Sequence, residues 1–278
     1  MQPDLSEILP VLLCGGLGAR LYPISTPEKP KPYLNLTSES ESLLQITARR
    51  MSGALEPVVI CHKDHVAMTR EQFIDIDIVP KQIIAEPMRR NTGPAIALAV
   101  SALQYTPDQI ILCLPCDHEI QDLDCFISAL CHGVKAARDG HIALFAEKPS
   151  YAETGYGYIS LSQETSLLNV YDVHSFHEKP NMAAAKEYIE HGFLWNTGMV
   201  MAKVSALMDV FIHYTPEIWA ILGQCERQKA DEVWSVSGKY FEEIPSVSFD
   251  VAILEKCQSL KCVPVEMGWK DIGNLSAL

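Results

Sequence analysis

Three glycines within four positions, Gly15, Gly16 and Gly18, close the apolar run Pro10-Val11-Leu12-Leu13-Cys14, and Arg20, Lys29 and Lys31 follow. Glycines at the end of a strand let backbone N–H groups turn toward a ligand with no Cβ in the way. The three cations put fixed positive charge beside those amides, which suits a phosphorylated ligand and a nucleotide above all. Further along, Leu114-Pro115-Cys116-Asp117-His118 sets an acid just past a second apolar run. Gly268-Trp269-Lys270-Asp271-Ile272-Gly273 sets another in a glycine-bracketed turn. Hard carboxylate oxygens next to a phosphate seat suit Mg²⁺. Either aspartate alone would more often be a turn former or helix cap; their joint presence with the glycine loop reverses that in favour of the metal. His118 reads as a neighbour that orients Asp117 or packs locally.

Glu86-Pro87-Met88-Arg89-Arg90-Asn91-Thr92-Gly93-Pro94-Ala95 carries a second chemistry. A capped strand-to-helix turn accounts for Asn91, Thr92 and Pro94, but not for Glu86. A carboxylate can accept from guanine's ring N–H and exocyclic amine together, so Glu86 has the geometry to read that base. Two familiar phosphate motifs are excluded. The glycines run G-G-x-G rather than G-x-G-x-x-G, and no Lys-Ser or Lys-Thr follows them as a P-loop requires.

The elements that must position these residues are legible in the first half. Apolar runs at 9–14, 57–62, 82–85, 109–114 and 141–146 predict strands, and 42–52, 92–104 and 123–138 predict helices between them. Such alternation predicts a mostly parallel sheet covered by helices, with ligands beyond the carboxyl ends of its strands. In the second half, 156–162, 198–203 and 260–266 read as strands. A helix is expected over Met182–His191, with Asn181 as cap and Gly192 as stop, and another begins at Thr215-Pro216-Glu217.

The bulk properties bound the answer. At 278 residues and 48% hydrophobic, the chain can bury a sizeable core. A mean hydropathy of +0.06 and evenly spread charges predict a soluble globular protein. No apolar run approaches the roughly 18 residues of a membrane span. The first cation is Arg20, so the N-terminus does not read as a signal or transit peptide, and cytoplasm is the expected compartment. A net charge of −13 argues against nucleic-acid binding. Segment 8–31 inverts that balance, with three cations against Glu28. Nine scattered cysteines read as reduced thiols, and Cys113-x-x-Cys116 as small core residues.

G-G-x-G-x-R-L-x-P followed by Pro30-Lys31 resembles the signature of the sugar-1-phosphate nucleotidyltransferases. Glu86-Pro87 with Arg90-Asn91-Thr92 and Pro94-Ala95, then Pro115-x-Asp117-His118, is similar to the mannose-1-phosphate guanylyltransferases in particular. Later blocks follow in order: Thr154–Ile159, Phe176–Pro180, Trp195–Gly198, Ser248–Lys256 and Trp269–Gly273. The resemblance implies a Rossmann-like α/β fold, with a mixed, mostly parallel sheet and flanking helices. It implies transfer of GMP from GTP to α-D-mannose 1-phosphate, with Mg²⁺. Leu13, Gly15, Gly16, Gly18 and Arg20, with Lys31 beside them, would face the GTP phosphates. Glu86, Asn91, Thr92, Pro94 and Ala95 would line the guanosine pocket. Gly157, Glu178 and Asn196 would bind mannose hydroxyls, and Lys179 the sugar phosphate; Asp250 would lie near the sugar or be structural. Asp117 and Asp271 would hold the metal, so that Arg20, Lys31, Asp117 and Asp271 form the catalytic set. The earlier Glu147-Lys148-Pro149 is read as structural.

Ala19 and Gly93 depart from the family's usual Thr or Ser and Ala. Many members continue into a C-terminal β-helix, some with a fused isomerase. The expectation here is one domain over 1–278 without either, with a nucleotide half to about residue 140 and a sugar half beyond it. A homodimer is the expected assembly, with no nucleic-acid or membrane partner. Two other activities compete: transfer to glucose 1-phosphate from dTTP or UTP, and a non-catalytic subunit that senses sugar nucleotides.

Overall fold

The computed structural model describes residues 4–16 and 18–273. Its spine is β1 (Ile8–Leu13), which runs parallel to β2 (Val58–His62) on one side and β4 (Ile110–Pro115) on the other. Next to β2 lies β3 (Gln82–Glu86), also parallel. These strands are continuous apolar runs because both of their faces are covered, and side chains alternate between two cores. Leu9, Val11, Ile111 and Cys113 enter one core; Ile8, Leu12, Leu112 and Leu114 enter the other.

The connecting helices are α1 (Leu43–Arg50), α2 (Val66–Ile74), α3 (Thr92–Leu103) and α4 (Leu123–Arg138). Local chemistry sets their starts. Ser42 and Gln45 form a reciprocal capping box at α1, and the Asp122 carboxylate accepts from Cys125 N–H at α4. Helix α3, Ala-rich and buried on nearly every face, lies between the sheet and the helices α6 (Val204–Tyr214) and α7 (Pro216–Gln224). Between α3 and α6 in the chain come the short β5 (His118–Glu119), β6 (Ile142–Glu147), β7 (Tyr158–Glu164), β8 (Tyr171–His177), α5 (Met182–Glu190) and β9 (Leu194–Lys203). The hairpin β10 (Arg227–Ala230) and β11 (Val233–Val236), the turn α8 (Gly238–Phe241), β12 (Leu260–Val265) and β13 (Lys270–Asp271) complete the described elements.

Eleven strands form one mixed sheet in the order β10-β11-β3-β2-β1-β4-β9-β6-β12-β8-β7. Its first half is parallel from β11 to β4. In the second half β9 runs antiparallel between β4 and β6, and β7 pairs with both β8 and β9, so five strands curl into a ring. The expected strands and helices of the first half lie within a residue or two of these bounds. Beyond it, the strand expected over 198–203 starts earlier, so that Asn196-Thr197-Gly198 is part of ten-residue β9. Gly198 (φ +72°) lies in a bulge of β9, where residues 197–199 stand against the single residue Phe145 of β6 and the strand continues on either side. No described helix is long and apolar enough to cross a membrane.

Candidate functional site

The carboxyl ends of β1, β3, β4 and β6 share one edge of the sheet, and that edge carries Leu13, Glu86, Pro115 and Glu147. A cavity of about 330 Å³ opens between β1, β3 and α3. Leu13, Gly15, Gly16, Glu86, Asn91, Thr92, Ala95 and Asp117 all line it. Pro94 does not; it sits buried in the first turn of α3. Asn91 caps that helix from a positive φ of 72°, and its Oδ1 accepts from Thr92 N–H.

Glu86 is 2% exposed, and its Oε1 has no hydrogen-bond partner. Burial pushes its pKa up to about 8, against the opposing charge of Arg89. Arg89 also lines the cavity and donates from Nε to Gly15 O at 3.1 Å, tying the glycine loop to the base of the pocket. Sequence reasoning assigned Arg89 no role, although it stands inside the motif quoted for the pocket.

Lys31 is the hinge of the neighbouring group. It is 4% exposed, and its Nζ lies 2.7 Å from Asp117 Oδ2 and 3.0 Å from Asp271 Oδ1. The aspartates meet because β13 pairs antiparallel with β5, setting Asp271 opposite His118, while Ile272 N–H donates to Asp117 O. Burial alone would raise the Asp117 carboxyl, but the His118 and Lys31 charges outweigh it and hold the pKa below the ordinary range. Burial lowers the pKa of His118, whose Nε2 is 3.7 Å from Asp117 Oδ1 and whose ring meets Trp269 edge-on at 5.1 Å. One ligand atom from each of Asp117, His118 and Asp271 fits within a mutual 4.8 Å. Two hard carboxylates this close together, bridged here by the Lys31 ammonium, are a donor set that fits Mg²⁺.

Gly18 (φ +69°) takes no side chain without a clash: a Cβ there would stand 2.5 Å from Lys31 Cβ. The glycine loop and Lys31 are therefore packed as one unit. Arg20 lines a second cavity, of about 690 Å³, together with Asp271, Glu147, Tyr156, Trp195 and Trp269. Tyr156 meets both tryptophans edge-on, and neither buried indole N–H has a partner. Glu147, the earlier Glu-Lys-Pro copy, accepts from Met267 N–H at 3.0 Å and so holds the segment that leads to Asp271. Leu17, inside the glycine motif, and residues beyond Gly273 lie outside the described residues.

The remaining candidates form a third group. Asn196 N–H donates to Gly157 O at 2.8 Å, and a Cβ on Gly157 would stand 3.0 Å from Glu178 Oε2. Asn196 Nδ2 donates to Asp250 Oδ1 at 2.8 Å, and Lys179 Nζ to Glu178 Oε1 at 2.7 Å. Burial, then the Glu178 charge, raises Asp250 to about 6. Asp250 opens a π-helical turn, Asp250–Leu254, and Glu255 just beyond it accepts from Glu178 N–H. This group joins the first through α3: Thr92 Oγ1 accepts from Phe249 N–H, and Gly93 N–H donates to Val247 O. A Cβ at Gly93 would lie 2.7 Å from that carbonyl, which accounts for glycine at this departure.

A glycine loop thus ends the first strand of a mixed α/β sheet, and the carboxylate just beyond the fourth strand meets a second one from β13. The nucleotidyl transferase family profile matches residues 9–278, and the chain belongs to that family. It is 36% identical to the alginate biosynthesis protein AlgA of Pseudomonas aeruginosa, over 98% of this chain and 58% of AlgA. It is likewise 36% identical to the mannose-1-phosphate guanylyltransferase RfbM of Salmonella typhimurium, over 98% of this chain and 58% of RfbM. The chain thus spans somewhat over half the length of these curated relatives. The crystal structure of a protein called mannose-1-phosphate geranyltransferase, from Thermus thermophilus, superposes with a TM-score of 0.85 at 28% identity, covering 98% of this chain and 78% of that one.

Proposed function

We propose that the protein transfers GMP from GTP to α-D-mannose 1-phosphate, releasing pyrophosphate and forming GDP-mannose, with Mg²⁺, in the cytoplasm. The observation that carries the reading is the partnerless buried oxygen of Glu86 in a cavity bordered by Asp117. An ionised Glu86 accepts from both N1–H and the 2-amino group of guanine, whereas adenine offers an acceptor at N1. The relatives named as mannose-1-phosphate guanylyltransferases support the choice of sugar.

A phosphate oxygen of the sugar attacks the α-phosphorus, and the bond from that phosphorus to the bridging oxygen of pyrophosphate breaks. The sugar phosphate is already anionic at neutral pH, so no side chain need act as nucleophile. The chain's work is positioning and charge compensation. Gly15 and Gly16 present backbone amides to the triphosphate, and Arg89 holds that loop against the base pocket. Arg20 and Lys31 offset the charge of the departing pyrophosphate. Asp117 and Asp271 would hold Mg²⁺, which when bound neutralises charge on the reacting phosphates. Gly157, Glu178 and Asn196 orient the sugar, Asp250 fixes the Asn196 amide, and Lys179 meets the sugar phosphate.

The test is pyrophosphate release from GTP, ATP, UTP and dTTP, each paired with mannose 1-phosphate and glucose 1-phosphate in Mg²⁺. Release should be fastest with GTP and mannose 1-phosphate. Faster release from dTTP or UTP with glucose 1-phosphate replaces the reading, and no release from any pair removes catalysis from it.

A further inference from the structure

Cys14 and Cys116 take no part in the chemistry above, yet they occupy a singular position. Cys14 follows Leu13 at the end of β1, and Cys116 follows Pro115 at the end of β4. Leu13 and Pro115 are the last register pair of these parallel strands, so the two cysteines stand side by side one step further on. Their sulfurs are 3.0 Å apart, and the residues are 1% and 0% exposed. Neighbouring strands lie about 4.8 Å apart, inside the Cα separation that a disulfide spans. Closing from this contact to a bond of about 2.05 Å asks for roughly an ångström of motion. Cys113, by contrast, belongs to the opposite core, so the Cys113-x-x-Cys116 spacing does not make a pair.

We propose that Cys14 and Cys116 are the site of a reversible disulfide that staples the glycine loop to the loop bearing Asp117. The immediate neighbours of the pair, Gly15 and Asp117, both line the smaller cavity, so the bond would fix the spacing between its two walls. A peroxide is the oxidant that suits so enclosed a place. One sulfur, as thiolate, attacks a peroxide oxygen, breaking the O–O bond to give a sulfenic acid and one water once the proton is returned. The second sulfur attacks the first and expels the other water. Two thiols thus lose two protons and two electrons to one hydrogen peroxide, which becomes two waters. Burial raises the Cys14 thiol well above its ordinary range, so the thiolate is scarce and the reaction proceeds through brief openings of the loops.

The bond is read without substrate, so it stands apart from the nucleotidyl-transfer reading. The full chain is treated with hydrogen peroxide, unfolded in iodoacetamide, and mapped by peptide mass. The expected result is one linked peptide pair containing Cys14 and Cys116, lost on adding dithiothreitol. The cross-link closes a span of 102 positions, so the oxidised protein should melt roughly 5 °C or more above the reduced one. Cys14→Ala and Cys116→Ala should show neither the link nor the shift. Should a variant fail to fold, the map of the unmodified chain decides by itself. Alkylatable Cys14 and Cys116, at a dose that has oxidised the half-buried Cys125, Cys131 and Cys257, would overturn the proposal. So would a link from Cys14 to nearby Cys61, or a linked protein that melts no higher.

Discussion

The smaller cavity and the Asn196 group both gather polar side chains near one edge of the sheet, yet those side chains stand in opposite conditions. Glu86 is buried with an oxygen that nothing satisfies, while Asn196 is bonded to Asp250 and Glu178 to Lys179. An unmet buried acceptor costs stability until a donor arrives, so the first region is shaped around one pattern of N–H groups. The second already satisfies itself, and a ligand there exchanges one set of hydrogen bonds for another. Single substitutions should therefore weigh more on the Glu86 side than on the Asn196 side. The carboxylates beside Lys31, at the edge of the smaller cavity, should weigh most.

The largest effect is expected there. Asp271→Asn should lower kcat/KM by on the order of a hundredfold or more with an unchanged circular dichroism spectrum. Near-normal turnover at saturating Mg²⁺ would take the metal away from Asp271. Glu86→Gln comes next: the preference for GTP over ATP should shrink by roughly tenfold or more, because the amide presents a donor where the guanine 2-amino group needs an acceptor. Competitive binding of the two nucleotides measures this, and an intact preference would remove Glu86 from base reading.

The same residue sets a pH dependence. With its pKa at about 8 in the free protein, Glu86 must lose a proton to accept from both guanine donors. GTP affinity should rise by up to about tenfold per pH unit and level off near pH 8. In Glu86→Gln it should be flat over the same range. In the ligand-free protein this raised pKa means the folded state binds the extra proton, so its contribution to stability falls as pH rises from 4.5 to about 8. Thermal melts across that window check the sign.

Asn196→Ala should have a smaller effect, raising KM for the sugar phosphate severalfold while the dissociation constant for GTP stays put. A parallel loss of GTP affinity would show that the two regions act as one. The smallest effect on turnover is expected from Gly93→Ala, where α3 touches the segment leading to Asp250. Its cost is in stability, about 1–3 kcal/mol from pressing a methyl against the Val247 carbonyl, and a lowered Tm reads it.

The two regions also differ in how far they were legible beforehand. Strands β1 to β4 announce themselves as apolar runs, and the residues along the smaller cavity follow those runs directly in the chain. Asn181 caps the helix it was expected to cap, and of the two candidates Asn91 and Thr92 it is Asn91 that caps α3. The ring of strands was harder. Tyr171-Asp172-Val173-His174 in β8 is too polar to read as a strand and owes its pairing to β7 and β12. Helix α6 follows β9 without a break or a side-chain cap, so its start leaves no local mark. Nothing near Asp250 announces a π-helical turn.

The amino-acid order alone determined which chemical groups stand at strand ends: amide-rich glycines after β1, a carboxylate on the last residue of β3, another after β4. Propensity, capping and apolar runs act over a few neighbouring residues, which is why these could be read. The tertiary structure alone decided that Lys31 lies between Asp117 and Asp271, that the Glu147 carboxylate steadies the segment leading to Asp271, and that Cys14 touches Cys116. It also decided the protonation of Glu86. Those facts rest on pairing between distant segments and on exclusion of water, and neither exists until the sheet has closed over its two cores.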